Sequence, residues 1–297
     1  MASFFDEIEK NRIRSMVLMS LFSLLFIAVI YLLIDVFFGG GIFGLVFGVL
    51  VAVAYAAFVY SAGDKMILRV SGAKPADKNK YPILYEIVDG ISSASQIPMP
   101  KVYVIEDQNP NAFATGRNKK ASSIAVTTGL LNAMSRTELE GVIAHEASHI
   151  YNNDIQFMMV AVVFAGAIGL ASVFIRNILF FGGDRRGNNG MLFIVAIIVG
   201  LLAPFFALLL RLAISRRREY MADANGARIT RDPGSLANAL IKIQAYGNGP
   251  HPTSVKHANE INSSLYFANP FNKKAIANLF STHPPIDERI KRLQKMY

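Results

Sequence analysis

The chain has 297 residues, of which 53% are hydrophobic and only 17% charged, whereas soluble domains carry about 25% charged residues. Its mean hydropathy is +0.35, and the apolar residues fall in blocks, which predicts membrane spans rather than one large soluble core. The net charge is +9, but the basic residues flank these blocks, so no nucleic-acid partner is predicted. The absence of cysteine excludes disulfide scaffolds, thiolate metal sites and cysteine nucleophiles.

Four apolar blocks are long enough to cross a bilayer, which takes roughly 20 residues; they are residues 16–38, 42–62, 157–175 and 191–213. The glycine-rich turn "FFGGGIFG" joins the first two into a hairpin, and we interpret the first block as an uncleaved anchor. Basic residues concentrate before span one and after spans two and four, which predicts that these segments are cytoplasmic. The loop after span three also contains three arginines, which argues against this orientation but is outweighed.

Between spans two and three the sequence predicts a soluble part that contains a small sheet. "KNKYPILYEIVDGISSASQI" has apolar residues at helical spacing, and "KVYVIED" has the alternation of a strand. "NAFATGRNKKASSIAVTTGLL" predicts a pair of strands with its polar tip at Gly116–Lys120. Ser135 with Glu138 forms a capping-box pattern, so a helix is expected to begin there.

The segment after span four predicts helices separated by irregular stretches. "RRREYMADANGARIT" is the first of these helices, "DPGS" breaks it, and "SLANALIKIQAYG" is the second. Residues 248–273 have little periodicity, which predicts an extended or mobile loop. "DERIKRLQKMY" predicts a short basic helix at the end of the chain.

The predicted helix after Ser135 carries His145 and His149, which lie four residues apart and therefore on one face. Two imidazoles one turn apart are able to bind one tetrahedral zinc ion. Glu146 follows the first histidine and is placed to act as a general base toward water. This is the H-E-x-x-H pattern of zinc hydrolases.

A hydrolytic zinc site needs a third protein ligand, which must be His, Asp or Glu in this chain. Glu219, on the predicted helix just after span four, is the best candidate because spans three and four return the chain to the same membrane face. Asp223, one turn further on, is placed to accept the free N–H of a ligand histidine and so orient its ring. The alternative is that both acids are solvated and pair with Arg216–Arg218.

Together, "HEASHIYNND", "SRRREYMADANGA" and "STHPPIDERIKRL" resemble the HtpX family of integral-membrane zinc metallopeptidases, which is similar to the CAAX prenyl protease. The resemblance implies that Glu219 is the third ligand, that Asp223 supports a ligand histidine, and that each chain binds one Zn²⁺. It implies ATP-independent cleavage of misfolded or damaged membrane proteins, alongside other quality-control proteases, and self-cleavage.

The expected fold class is α+β and mainly helical, with a zincin-like metallopeptidase domain, a small β-sheet and four transmembrane helices. The expected organisation is a transmembrane hairpin at 1–62, a catalytic part with the zinc-binding helix at 63–156, a second hairpin at 157–213, and a catalytic part with the third ligand at 214–297. We expect a multi-pass protein of the cell membrane whose catalytic parts face the cytoplasm.

Several other residues match family motifs. Asn111, Ala112 and Phe113 belong to "NAFATG", which is expected to offer an edge strand to an extended substrate or to be a plain hairpin strand. His283 and Arg289 either stabilise an oxyanion and support the site or have a structural role in ending a loop and pairing. Asn152 and Asp154, which follow the histidine pair, also match the family, and a supporting role at the site is left open for them.

Two other function classes fit parts of the sequence. An intramembrane metalloprotease of the site-2 type takes an aspartate ligand from another span, but here polar residues flank the histidine motif and Asp232 has no apolar context. A membrane scaffold, chaperone or transporter with a structural metal is the non-enzymatic alternative. A transporter would require polar residues inside the spans, and these spans have almost none. A structural zinc site would fill all four metal positions with protein groups.

Overall fold

The structure is a computed structural model that describes residues 41–163, 216–247, 266–267 and 284–296, together with six isolated helical positions between 13 and 31. The chain divides into two compact units, Met1–Ala62 with Val160–Ala213 and Gly63–Met159 with Ile214–Tyr297. Predicted spans one and four lie outside the continuously described residues, as do most of span three and His283.

Helix α1 (Gly41–Val70) contains the second predicted span and extends beyond it. The prediction that the span ends at residue 62 marks where the apolar stretch ends, but the helix continues through Asp64, Lys65 and Arg69 because charged side chains do not break a helix. It ends before Gly72, whose φ of 69° is easily adopted by glycine. Within the described residues, α1 is the one helix long and apolar enough to cross a membrane, and the mean hydropathy of its most apolar stretch is 2.6.

The second unit contains one four-stranded mixed sheet in the order β1-β2-β4-β3. Its strands are β1 (Ala73–Pro75), β2 (Lys101–Ile105), β3 (Ala112–Gly116) and β4 (Ser122–Thr127). β4 runs parallel to β2 and antiparallel to β3. The predicted strand pair is confirmed as β3 and β4, and among the described strands β3 is an edge of the sheet.

Helices pack against this sheet and against one another. The predicted helix after residue 80 is confirmed as α2 (Pro82–Ala94), which has proline in its first turn, and a short helix α3 (Thr128–Ala133) follows β4. The histidine-bearing helix is α4 (Arg136–Tyr151). It is followed by α5 (Asp154–Val163), a shorter apolar helix that begins three residues before the predicted start of span three.

The C-terminal part supplies three more helices. They are α6 (Arg216–Thr230), α7 (Pro233–Gly247) and α8 (Ile286–Gln294). The "DPGS" break is also a helix start, because Asp232 Oδ1 accepts a hydrogen bond from the Ser235 N–H at 3.1 Å. Leu130, Val142, Ile143 and Leu236 are among the buried residues of the core that joins the sheet to α4 and α7.

Candidate metal centre

Helix α4 places two histidines and a glutamate in the interior of the second unit. Its start is fixed by the predicted capping box, in which the Ser135 side chain accepts from the Glu138 N–H while the Glu138 carboxylate accepts from the Ser135 N–H. His145, Glu146 and His149 retain 1%, 2% and 5% of their accessible surface. Polar groups this deeply buried need partners within the protein, and these partners define the site.

Helix α6 brings Glu219 to the two histidines. The His145 and His149 Nε2 atoms lie 3.2 Å apart, and they lie 3.7 Å and 3.6 Å from the two carboxylate oxygens of Glu219. The helices approach closely because α6 has a glycine at position 226, where a Cβ would lie 3.1 Å from the His145 backbone nitrogen. Glu219 is 2% exposed, so it is not a solvated surface charge.

This donor set fits a divalent metal. Among the described residues, one group of His, Asp and Glu side chains converges in this way: one ligand atom each from His145, His149 and Glu219, all within 4.8 Å of one another. Two imidazole nitrogens and one carboxylate oxygen are ligands that zinc accepts, and three protein ligands leave a fourth position for water or substrate. The expected grouping of these three residues is present in the folded chain.

The other face of His145 is held by a carboxylate and a buried arginine. His145 Nδ1 lies 2.9 Å from Asp223 Oδ1; since a carboxylate only accepts, Nδ1 carries the proton and Nε2 presents its lone pair. Arg289, on α8, is fully buried and donates to both oxygens of Asp223, at 2.9 Å and 2.7 Å. Asp223, which was expected beside a ligand histidine, therefore lies between His145 and Arg289.

His149 has a similar arrangement that the sequence motifs alone left open. Its Nδ1 lies 3.1 Å from Asp154 Oδ2, and Arg218 Nη1 lies 3.5 Å from Asp154 Oδ1. All three side chains are at most 8% exposed. The sequence signal for Asp154 is its place in "HEASHIYNND". Its contact with His149 depends on a turn after α4 that no spacing rule predicts. Arg218 has no sequence signal beyond its neighbour Glu219.

In the metal-free site the pKa values of the two histidines are shifted in opposite directions. Burial lowers the pKa of His145 to about 4, although the hydrogen bond to Asp223 opposes it. Burial also acts to lower the pKa of His149, but the hydrogen bond to Asp154 and the charge of Glu219 outweigh it and raise this pKa to about 9. At neutral pH His145 is therefore ready to bind a metal ion, whereas His149 must first lose a proton.

Glu146 is not one of the three converging donors. Burial raises the pKa of its carboxyl to about 7, against the opposing charge of His149 and a backbone hydrogen bond from Ala114. That hydrogen bond places Glu146 beside β3, the edge strand. A carboxyl group whose pKa lies close to neutrality is suited to taking up and releasing a proton.

The three residues expected at the substrate strand lie at or beside β3. Asn111 precedes the strand, and its Oδ1 accepts from the Ala112 N–H at 3.0 Å. The Ala112 carbonyl accepts from the Phe267 N–H at 2.7 Å, and the Phe113 ring meets Tyr266 edge-on at 5.3 Å. The Phe267 ring also packs against His145, with ring centroids 4.8 Å apart, a contact that the aperiodic sequence around it did not signal.

Comparisons with known proteins agree with this chemistry. The sequence model of peptidase family M48 matches residues 79–297. The chain is 41% identical over 295 residues to a protein named protease HtpX homolog from Dictyoglomus thermophilum, covering 99% of this chain and 95% of the relative. A Caldanaerobacter subterraneus protein of the same name is 45% identical over 283 residues, covering 93% and 92% of the two chains.

A solved structure supports the fold. The crystal structure of S. mikatae Ste24p aligns with a TM-score of 0.52 and 18% identity, covering 97% of this chain and 66% of that one. The expected resemblance is thus confirmed by family and by relatives, whereas the expected four-helix membrane region extends beyond the described residues. On the family match and on these relatives, the chain belongs to peptidase family M48 and is a metalloprotease.

Proposed function

We propose that the chain is a zinc-dependent endopeptidase in which His145, His149 and Glu219 hold the metal and Glu146 is the general base. The convergence of these three buried donor groups, with Glu146 next to His145 on the same helix, carries the proposal. The donor set suits zinc by ligand type. When bound, zinc supplies Lewis-acid polarisation of the scissile carbonyl and acidifies water.

The protein groups around the metal have separate tasks in this mechanism. Glu146 accepts the proton of the attacking water and delivers it to the leaving amine. Asp223 and Asp154 hold the Nδ1 protons of His145 and His149, so that each Nε2 points toward Glu219. Arg289 neutralises Asp223 and keeps the pKa of that carboxyl below its usual range, although burial by itself acts to raise it.

We further propose that substrates bind as an extended segment along β3. The Ala112 carbonyl already accepts a backbone hydrogen bond at 2.7 Å from an amide outside the sheet, and Ala114 reaches Glu146 from the same strand. Strand addition recognises main-chain groups and so accepts varied sequences. This suits an enzyme that removes misfolded or damaged proteins, while the buried side chains of Asn111 and Phe113 support the strand from within the fold.

The membrane assignment forms part of the same proposal. The 30-residue helix α1 supports a spanning segment, and the apolar blocks of the sequence support two hairpins, at 1–62 and 157–213, with catalytic parts at 63–156 and 214–297. The basic flanks favour a cytoplasmic catalytic side. Membrane proteins are then the favoured substrates, in cooperation with other quality-control proteases.

The site-2-type alternative is not favoured by the position of Asp232. This residue caps α7 through Ser235, and the metal group among the described residues uses Glu219 instead. A non-enzymatic scaffold is not favoured because the chain belongs to a peptidase family.

The decisive experiment uses the full chain purified in detergent with labelled casein as substrate and with bound zinc quantified. We expect cleavage that chelators abolish and zinc restores, and a Glu146→Gln variant that keeps zinc but cleaves about 10²–10⁴-fold more slowly. Cleavage by Glu146→Gln at the wild-type rate would refute the proposed base. Zinc bound without chelator-sensitive cleavage would favour the scaffold.

A further inference from the structure

Asp154 and Arg218 lie close to the two ends of the long segment that separates the histidine helix from the glutamate helix. Asp154 is the first residue of α5, directly after the turn that ends α4. Arg218 is the third residue of α6. Although 64 positions separate them in the chain, Arg218 Nη1 lies 3.5 Å from Asp154 Oδ1, so the ion pair joins α5 to α6 next to the metal ligands.

The turn after α4 is what brings Asp154 back to His149. On an uninterrupted helix, a residue five positions later would point about 140° away from His149. Instead the helix stops at Tyr151, and Asn153 adopts the left-handed conformation with φ of 59°, which asparagine tolerates better than most residues. Asp154 Oδ2 then lies 3.1 Å from His149 Nδ1.

Arg218 holds α6 against α5 at the residue directly before Glu219. Its side chain is 8% exposed, and its guanidinium carbon lies 4.9 Å from the centre of the Phe157 ring on α5. Arg218 thus contacts α5 in two places while its neighbour Glu219 faces both histidines. Any shift of α6 along α5 would break these contacts and would move Glu219 away from His149.

We propose that Asp154 and Arg218 form a clamp that positions His149 and Glu219 for the metal. The inference rests on the proposed function and deepens it. Asp154 and Arg218 are positioning residues: Asp154 orients the His149 ring, and the charge of Arg218 keeps Asp154 in place and ties α6 to α5. Outer partners of this kind change metal affinity by roughly 10–100-fold.

The test measures metal affinity, by chelator competition with Zn²⁺ and by the visible spectrum of the Co²⁺ form, on the full chain in detergent. The variants are Asp154→Asn, Arg218→Met and the double variant, with Arg216→Gln as control because Arg216 is exposed on the same helix. We expect roughly 10–100-fold weaker Zn²⁺ binding in all three clamp variants, a changed Co²⁺ spectrum, and wild-type values for the control.

The double variant separates positioning from a merely structural role. It leaves neither buried charge uncompensated, so the melting temperature of its metal-free form is expected to recover relative to the single variants. Affinity that stays weak despite this recovery supports the clamp. Affinity that recovers together with the melting temperature, or variants that all bind Zn²⁺ within about twofold of the wild type, would overturn it.

Measurements on the wild type distinguish failure of the clamp proposal from failure of the endopeptidase proposal. Chelator-sensitive casein cleavage by the wild type upholds the endopeptidase function even where the clamp variants bind metal normally and the clamp is overturned. A wild type that binds no metal overturns both.

Discussion

Helices α1 and α4 reverse the usual relation between polarity and burial. The most apolar stretch of α1 has a mean hydropathy of 2.6, yet only 13% of it is buried, and Phe43 is 86% exposed. α4 carries two histidines and several charged residues, yet its second half is almost entirely buried. An apolar surface left uncovered fits lipid, whereas polar groups taken out of water need partners of fixed geometry. The polarity of a helix alone therefore does not predict whether it is buried within the protein. The partners that its side chains require do predict it.

The sharpest way to test this contrast compares two equally buried glutamates, Glu219 and Glu146, both 2% exposed. Glu219→Gln removes a donor of the metal group, so Zn²⁺ affinity should fall by more than the roughly 10–100-fold typical of outer partners. Glu146→Gln should bind Zn²⁺ as the wild type does. Zinc quantified by chelator competition checks both, and equal losses in the two variants would contradict the assignment.

A large stability effect is expected at the buried arginine of α8. Arg289→Met leaves Asp223 without its cation, so the free energy of unfolding should fall by about 3–5 kcal/mol. Arg292→Met, on the same helix, removes a side chain that is 51% exposed and should cost at most about 1 kcal/mol. Denaturant unfolding in detergent measures both, and similar losses would show that burial is not what makes Arg289 important.

The lipid assignment of α1 is tested at Val53, which is 59% exposed near the middle of the apolar stretch. Val53→Arg should disfavour membrane insertion by about 2.5–3.5 kcal/mol, whereas Val53→Leu should leave it unchanged. Insertion is measured with a glycosylation-site reporter. Equal insertion of the two variants would mean that α1 does not cross the bilayer.

The smallest effect expected is a pH dependence of metal binding. The raised pKa of His149, about 9, means that the folded, metal-free site holds a proton there below this pH, and the proton competes with the metal. Apparent Zn²⁺ affinity should therefore rise with pH by about tenfold per unit between pH 7.5 and 9 and level off above it. His145, with a pKa of about 4, adds no competition in this range. Chelator competition at several pH values measures the slope, and a flat profile would contradict it.

Local patterns predicted the parts of this molecule that depend on neighbours in sequence. The capping box at Ser135, the histidine spacing of α4 and the β3–β4 pair all follow from short-range rules, and each is present. The sequence predicts Glu219 as a ligand because a polar helix follows a span and because the chain resembles a known family. Its burial against the histidines depends on the packing of α6, which spacing does not encode.

The contacts that spacing rules did not predict depend on chain reversal or on long-range packing. Asp154 reaches His149 only because α4 ends in a left-handed turn at Asn153, and Phe267 reaches Ala112 from a stretch without periodicity. Helix α1 extends beyond the predicted span for a simpler reason. Hydropathy reports where an apolar surface stops, whereas a helix stops where its hydrogen bonding is terminated, here at Gly72.

The glycine at position 226 sets the tolerance of the metal centre to changes in the helices that carry its ligands. Since α6 rests there on the backbone of α4, with a virtual Cβ 3.1 Å from the His145 nitrogen, no flexible side chain cushions the contact. A side chain at position 226 would require the α4 backbone at His145 to move by a few tenths of an ångström, so even Gly226→Ala changes the spacing of the two ligand helices without altering a ligand.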